Sequence, residues 1–264
     1  MNTGKLLGFA IGIFILTPLL NKLLRKPIGR LLNKHGYDAD GKRLPQAARN
    51  DDPDYENDVD LLISFVRNHN DFKIIPPDIS VPYNHMGATI TDTILQAGLK
   101  WESVVKPRII NIMSQPTAKT STGFSQLVER EGIKKILNWN DDEKPSRIIN
   151  VIRLFKNEKI ETETDLKSWL QNDLNIMKLK KLRGIGNKTA DYFKILAGIP
   201  TNAVDRHLIK CLKMAKIDIR PEEYSRAHNI IDFAADRMKI DKSKFDYSIW
   251  KYMSDKPQRC SRTT

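Results

Sequence analysis

Residues 174–198 read LNIMKLKKLRGIGNKTADYFKILAG, in which apolar residues at helical spacing are followed by a Gly184-Ile185-Gly186 turn and then by helical spacing again. Glycine admits positive φ and lets another backbone come close. A turn made of Gly184 and Gly186 can aim successive N–H groups, and the N-terminus of the following helix, at an anion. Between Leu166 and Lys194 there are seven Lys/Arg against Asp173 and Asp191, a local excess of +5. Backbone phosphate is the partner such a charge favours. A Gly-x-Gly turn also serves plain αα-hairpins, so the flanking sequence decides. Gly198 is placed to close the second helix and Pro200 to prevent its continuation. TNAVDRHLIKCL (201–212) then opens the next helical pattern, with Asp205 at its start.

Outward from this stretch, apolar residues recur three and four apart in VDLLISFVRNH (59–69), TITDTILQAGL (89–99), SRIINVIRLF (146–155), TDLKSWLQNDL (164–174) and NIIDFAADRM (229–238). Nothing alternates as a strand would, and the β-branched stretch from Lys73 to Val81 is broken by Pro76 and Pro77. A body at 59–264 is therefore expected to be all-α. Residues 36–58 (GYDADGKRLPQAARNDDPDYEND) are polar and turn-rich, as in a linker. Residues 1–35 form a hydrophobic and basic segment whose uncharged run LLGFAIGIFILTPLLN (6–21) is flanked by Lys5 and Lys22. Sixteen helical residues reach about 24 Å, short of a hydrocarbon core of about 30 Å, and Leu23 and Leu24 extend the reach. An N-terminal hydrophobic helix is expected, with possible membrane association through 6–24. The basic flank keeps the following chain on the cytoplasmic or nucleoid-facing side.

The net charge is +12 at pH 7, of which +7 lies in residues 1–50 (nine Lys/Arg, two Asp). An anionic partner, nucleic acid or a membrane surface, is implied without a choice between them. The two cysteines, Cys211 and Cys260, stand 49 positions apart. That spacing excludes a disulfide framework and the paired-cysteine pattern of zinc or iron-sulfur sites, so no metal is expected.

LRGIGNKTADYFKILAGIPTNAVDRHLIKCL (182–212) resembles the LPGVGRKTA…VDTH signature of helix-hairpin-helix DNA glycosylases related to endonuclease III. The Gly-Ile-Gly turn, the Lys188-Thr189-Ala190 triplet, Gly198-x-Pro200 and Val204-Asp205-x-His207 follow in family order, with Lys188 and Asp205 seventeen positions apart. A weaker likeness extends from Ala88 to Met253, where ATITDTILQAGLKWESVVKPRI is similar to the family's early helix. Arg183 stands where the family usually has Pro and Arg206 where Thr is common. Both departures bear on substrate more than on chemistry.

The resemblance implies two helical subdomains with a DNA-binding cleft, the hairpin on one wall and Asp205 at the crossing between them. It implies a base-excision repair glycosylase with abasic-site lyase activity, probing double-stranded DNA that carries a damaged base or an abasic site, as a monomer. Lys188 would attack the sugar C1′ and form a Schiff base, with Asp205 stabilising positive charge and shuttling protons. The helix dipole and the neighbouring Lys180, Lys181 and Arg183 are expected to disfavour the Lys188 ammonium. Arg183, Gly184, Gly186, Asn187 and Thr189 are expected at DNA, His207 at Asp205 or phosphate, and Gln96 in the gap left by an extruded base. Relatives often carry four C-terminal cysteines around an iron-sulfur cluster, and Cys260 alone cannot build one, so no cofactor is expected. Trp101, Trp139, Trp169, Trp250, Tyr192 and Phe193 fall in apolar helical stripes and read as core. Composition alone leaves open a non-catalytic DNA-binding module tethered to a membrane and a protein using its charge on anionic lipid. The joint presence of Lys188 and Asp205 favours the enzyme, since binding needs neither.

Overall fold

The computed structural model describes residues 53–256 apart from Pro221. The hydrophobic segment at 6–24, most of the 36–58 linker and Cys260 lie outside the described residues. Twelve α-helices, a π-helical turn at Trp101–Val105 and a 3-10 turn at Pro116–Lys119 account for the regular structure, and no strand occurs among the described residues. The all-α expectation holds. No helix among them is long and apolar enough to cross a membrane.

The helices are α1 (Pro53–Asn68), α2 (Met86–Leu95), α3 (Lys106–Met113), α4 (Ser121–Glu131), α5 (Ile133–Leu137), α6 (Glu143–Asn157), α7 (Glu163–Trp169) and α8 (Asp173–Lys180). They continue with α9 (Asn187–Leu196), α10 (Arg206–Met214), α11 (Tyr224–Met238) and α12 (Lys242–Asp255). Two boundaries differ from the sequence reading. Helix α1 starts at Pro53, inside the stretch read as linker; proline suits a first helical position because the N–H it lacks would have no intrahelical acceptor there. The TDLKSWLQNDL pattern is two helices, because the Asn172 side chain accepts from Leu174 N and starts α8 afresh.

Buried apolar residues fall into two sets. One cluster gathers residues from Tyr83 to Ala197 around Phe124, Phe155 and Phe193. The other set comes from α1 and from α10 to α12, and includes Leu62, Phe65, Leu208, Ile230, Phe245 and Ile249. Within it Phe72 stands 5.0 Å from Tyr252 and 6.4 Å from Phe245, centroid to centroid, which ties the end of α1 to α12. A polar link crosses between the sets: Asp191 on α9 accepts from Tyr224 Oη on α11 at 2.8 Å, and within α9 the same carboxylate accepts from Lys194 Nζ at 2.7 Å.

Helix α2 is buried along its whole length. Its entry is fixed from outside, since Glu163 Oε1 accepts from His85 N at 2.6 Å and Thr89 Oγ1 at 2.9 Å, while His85 Nδ1 caps Ala88 N at 3.2 Å. The Ala88 N–H, otherwise orphaned at this buried helix start, thereby meets an acceptor, and the buried Glu163 carboxylate is met by two donors.

Phe193 is fully buried and meets Phe155 edge-on at 5.6 Å. Phe193→Ala is expected to cost roughly 3–5 kcal/mol through lost transfer energy and a residual cavity. The urea midpoint measures it.

Candidate active site

Helices α8 and α9 are joined by the glycine turn, and the two glycines serve it differently. Gly184 has φ +83, where an added Cβ would also run into the Arg147 guanidinium. Gly186 has φ −101 and ψ −167, ordinary extended backbone, and open space where a Cβ would go. Only Gly184 thus needs glycine for its conformation, which corrects the expectation for Gly186. Gly186 is instead the N-cap of α9 and supplies no side-chain acceptor, leaving first-turn N–H groups available to an outside anion. Arg183, Gly184, Gly186 and Asn187 are exposed around this turn, and Asn187 Oδ1 accepts from Lys180 Nζ. Thr189, grouped with them by sequence, is buried; its side chain is turned into the fold because it falls on the core face of α9.

In the first turn of α9, Lys188 is half-buried and opens on a pocket of about 510 Å³. The pocket lies where the two sets of helices meet. Its walls come from the 76–83 segment, from Gln96, Leu99 and Trp101, from Lys188, Tyr192 and Leu196 of α9, and from Asp205, Leu208, Asp246, Tyr247 and Trp250. Lys188 Nζ donates to Gln96 Oε1 and sits 4.9 Å from the centroid of the Tyr192 ring. Gln96 ends α2 as its C-cap, so it reaches the amine from the opposite wall.

Asp205 is the N-cap of α10, its Oδ1 accepting from His207 N at 2.7 Å and Leu208 N at 3.1 Å. Two backbone donors hold the carboxylate in one orientation toward the pocket. Lys188 and Asp205 therefore face the same space without forming an ion pair. His207 stacks edge-on to Trp250 at 6.4 Å, and burial pulls its imidazole below the usual histidine range.

Burial pulls the Lys188 amine below the ordinary lysine range, against the opposing pull of Asp205, Asp246 and Asp92. The direction matches the expectation; of the two causes open to it, burial and nearby cations, desolvation is the one that lowers it, and Lys180, Lys181 and Arg183 are not among the charges acting on it. Asp246 and Asp92 went unnoticed in the sequence. Burial raises the Asp246 carboxyl to about 7, partly offset by the Ala203 N–H it accepts at 2.8 Å. Burial likewise lifts Asp92 to about 6, with Tyr83 and Tyr192 hydroxyls lowering it.

The aromatic residues read as core divide. Phe193 is core, and Trp101, Trp139, Trp169 and Tyr192 pack against the first cluster. Trp101 and Tyr192 also line the pocket, together with Trp250, because each sits where an apolar stripe runs out from the core into the space between the helix sets. Cys211 is buried and its thiol is pushed up to about 12, which makes it inert.

A family model described as Domain of unknown function (DUF8548) matches residues 134–254, a span that contains Lys188, Asp205 and Asp246. The chain matches no curated protein and no solved structure.

The Asp246 carboxyl titrates near 7 when folded and at about 3.9 in an unfolded chain. Between those values the unfolded chain has released a proton that the folded chain keeps, so this residue's contribution to stability falls as pH rises through the window. Asp246→Asn keeps an oxygen for the Ala203 N–H and removes the ionisation. Its Tm relative to the parent chain should climb by about a few degrees between pH 4 and pH 7. A difference flat in pH would contradict the buried ionisation.

Proposed function

We propose that this chain is a base-excision DNA glycosylase with abasic-site lyase activity, of the helix-hairpin-helix type. The observation that carries this reading is the half-buried Lys188 amine opening, opposite a helix-capping aspartate, on a pocket of about 510 Å³ beside a glycine turn. Ligand pockets of about 300–1,000 Å³ are typical for small molecules, and this one suits a single nucleobase with its sugar. The two sets of helices act as two subdomains, the space between them as the DNA-binding cleft, and α8-turn-α9 as the hairpin.

Double-stranded DNA lies along the exposed turn, where the free N–H groups of α9 and the surrounding Lys/Arg hold phosphate. A damaged nucleotide is extruded into the pocket, at least cost when it is poorly stacked or paired. Trp101, Trp250 and Tyr247 supply π-faces for the base. Neutral Lys188 then forms a bond from Nζ to C1′ while the C1′–N bond to the base breaks and the base leaves with that electron pair. The fixed Asp205 carboxylate stabilises the positive charge that grows on the sugar and takes the proton that Nζ sheds. Ring opening gives the imine, from which loss of a C2′ proton expels the 3′ phosphate. Burial of the amine supplies the neutral nucleophile that this sequence needs.

Incubating the full chain with duplexes bearing uracil, 8-oxoguanine, thymine glycol or an abasic site, with borohydride present, tests the reading. A covalent protein-DNA adduct is expected from the parent chain and none from Lys188→Ala. Asp205→Asn should slow base release about 100-fold or more. No adduct and no strand cleavage on any duplex, the abasic one included, sinks the enzyme. Salt-dependent DNA binding surviving alone would leave a DNA-binding module in its place.

A further inference from the structure

Asp92 is a carboxylate in the middle of a wholly buried helix, itself fully buried, and it is not part of the pocket wall. Its Oδ2 accepts two phenolic hydroxyls, Tyr83 Oη at 2.9 Å and Tyr192 Oη at 2.9 Å. Its Oδ1 is buried with no protein donor. Tying two tyrosines to α2 would need only a neutral acceptor, whereas a charged group here carries a large desolvation cost. What repays a buried charge is one of opposite sign, and the cation acting on Asp92 is Lys188, whose Nζ lies 4.9 Å from the centroid of the same Tyr192 ring. A phenol that donates to a carboxylate has an electron-richer face, and that face points at the amine.

The charge on Nζ follows a definite course in the lyase step. Protonated Lys188 and the C1′ aldehyde of an abasic site give an iminium and water: the N–C1′ bond forms and both C–O bonds of the carbonyl break. The oxygen leaves with two of the three ammonium protons, and the third stays on nitrogen. Nζ is thus cationic before and after, and neutral only while it attacks. Asp205 and Asp246 face the pocket and meet the substrate, and Asp205 is committed to the charge on the sugar. Asp92 lies off the pocket wall at the hydroxyl end of Tyr192 and is already solvent-free before anything fills the pocket.

We propose that Asp92 is the positioning counter-ion of the covalent intermediate, a buried carboxylate held by Tyr83 and Tyr192 that stabilises the iminium on Lys188 without touching DNA. The assignment rests on the lyase reading above. Asp92 at about 6 is ionised at neutral and alkaline pH, which supports it. The groups acting on Asp92 are Tyr83, Tyr192 and Lys188, and those acting on Lys188 are Asp205, Asp246 and Asp92. Lys144 on α6 also senses the Lys188 charge.

The test is single-turnover borohydride trapping on an abasic-site duplex from pH 5 to pH 9, with melting curves for every variant. Asp92→Asn removes the counter-ion, so Lys188 should lose its proton more readily and the acid limb of the trapping rate should move to lower pH by about one unit. The iminium should also be less favoured, so that the fraction trapped at the plateau falls about threefold or more. Asp92→Glu should restore both. Tyr192→Phe keeps the carboxylate but removes one donor, so its trapping deficit should be confined to the acid side and vanish by pH 9. This variant carries the test if Asp92→Asn fails to fold. A folded Asp92→Asn with parent-like acid limb and trapped fraction overturns the counter-ion, as does a Tyr192→Phe deficit that is the same at every pH. If the parent chain itself traps nothing on abasic DNA, the lyase reading falls and the counter-ion with it.

Discussion

Desolvation of one amine organises the region around the pocket. Lys188 sits in the first turn of α9, beside a ring face and among three carboxylates, and its protonation is a contest between burial and those charges. Burial wins in direction. For that to hold, α2 must bring Gln96 and Asp92 against α9, and the start of α10 must bring Asp205 to the same space. Both conditions depend on caps: Glu163 fixes the entry of α2, and Asp205 fixes that of α10. The hydrogen bond that Asp191 accepts from Tyr224 holds α9 to the second set of helices, so the amine and the capping aspartate share one frame.

Much of this frame can be read in the chain before any coordinates. Helical spacing identifies the all-α class, and Gly198, at φ +74, closes α9 as its position before Pro200 implies. Asp205 caps α10 because an acidic side chain before an apolar helical run accepts first-turn N–H groups. Lys188 and Asp205 could be paired because both lie in one contiguous motif. Asp92 could not. Within TITDTIL it has the spacing of a solvated polar face, yet the whole of α2 is buried, and the hydroxyl that approaches from α9 belongs to a residue 100 positions away. Asp246 escapes for the same reason, since its significance lies in what α12 faces and not in what flanks it. Tyr192 shows a complementary case: periodicity assigns it to the core, against which it does pack, but an apolar stripe that reaches the rim of a helix set also lines a pocket.

The glycine turn carries a related lesson about backbone and side chain. Gly184 is required by its conformation, whereas Gly186 matters for what it does not provide, namely an acceptor for the first turn of α9. A Ser or Asp at that N-cap would stabilise the helix by about a few tenths of a kcal/mol and would occupy the donors that an anion needs. Here the local rule for helix stability and the rule for binding point in opposite directions, and such disagreement is what marks a site.

Asp205 holds two offices at once. The oxygen that orients the carboxylate in the pocket is the oxygen that starts α10, so the geometry of the reacting space is only as rigid as the first turn of one helix. Helix ends fray at lower free energy than whole domains unfold. On warming, a pocket built this way loses its aim before the fold loses its shape. The temperature at which the carboxylate turns away is then set by a single turn of backbone, not by the packing of Phe124, Phe155 and Phe193.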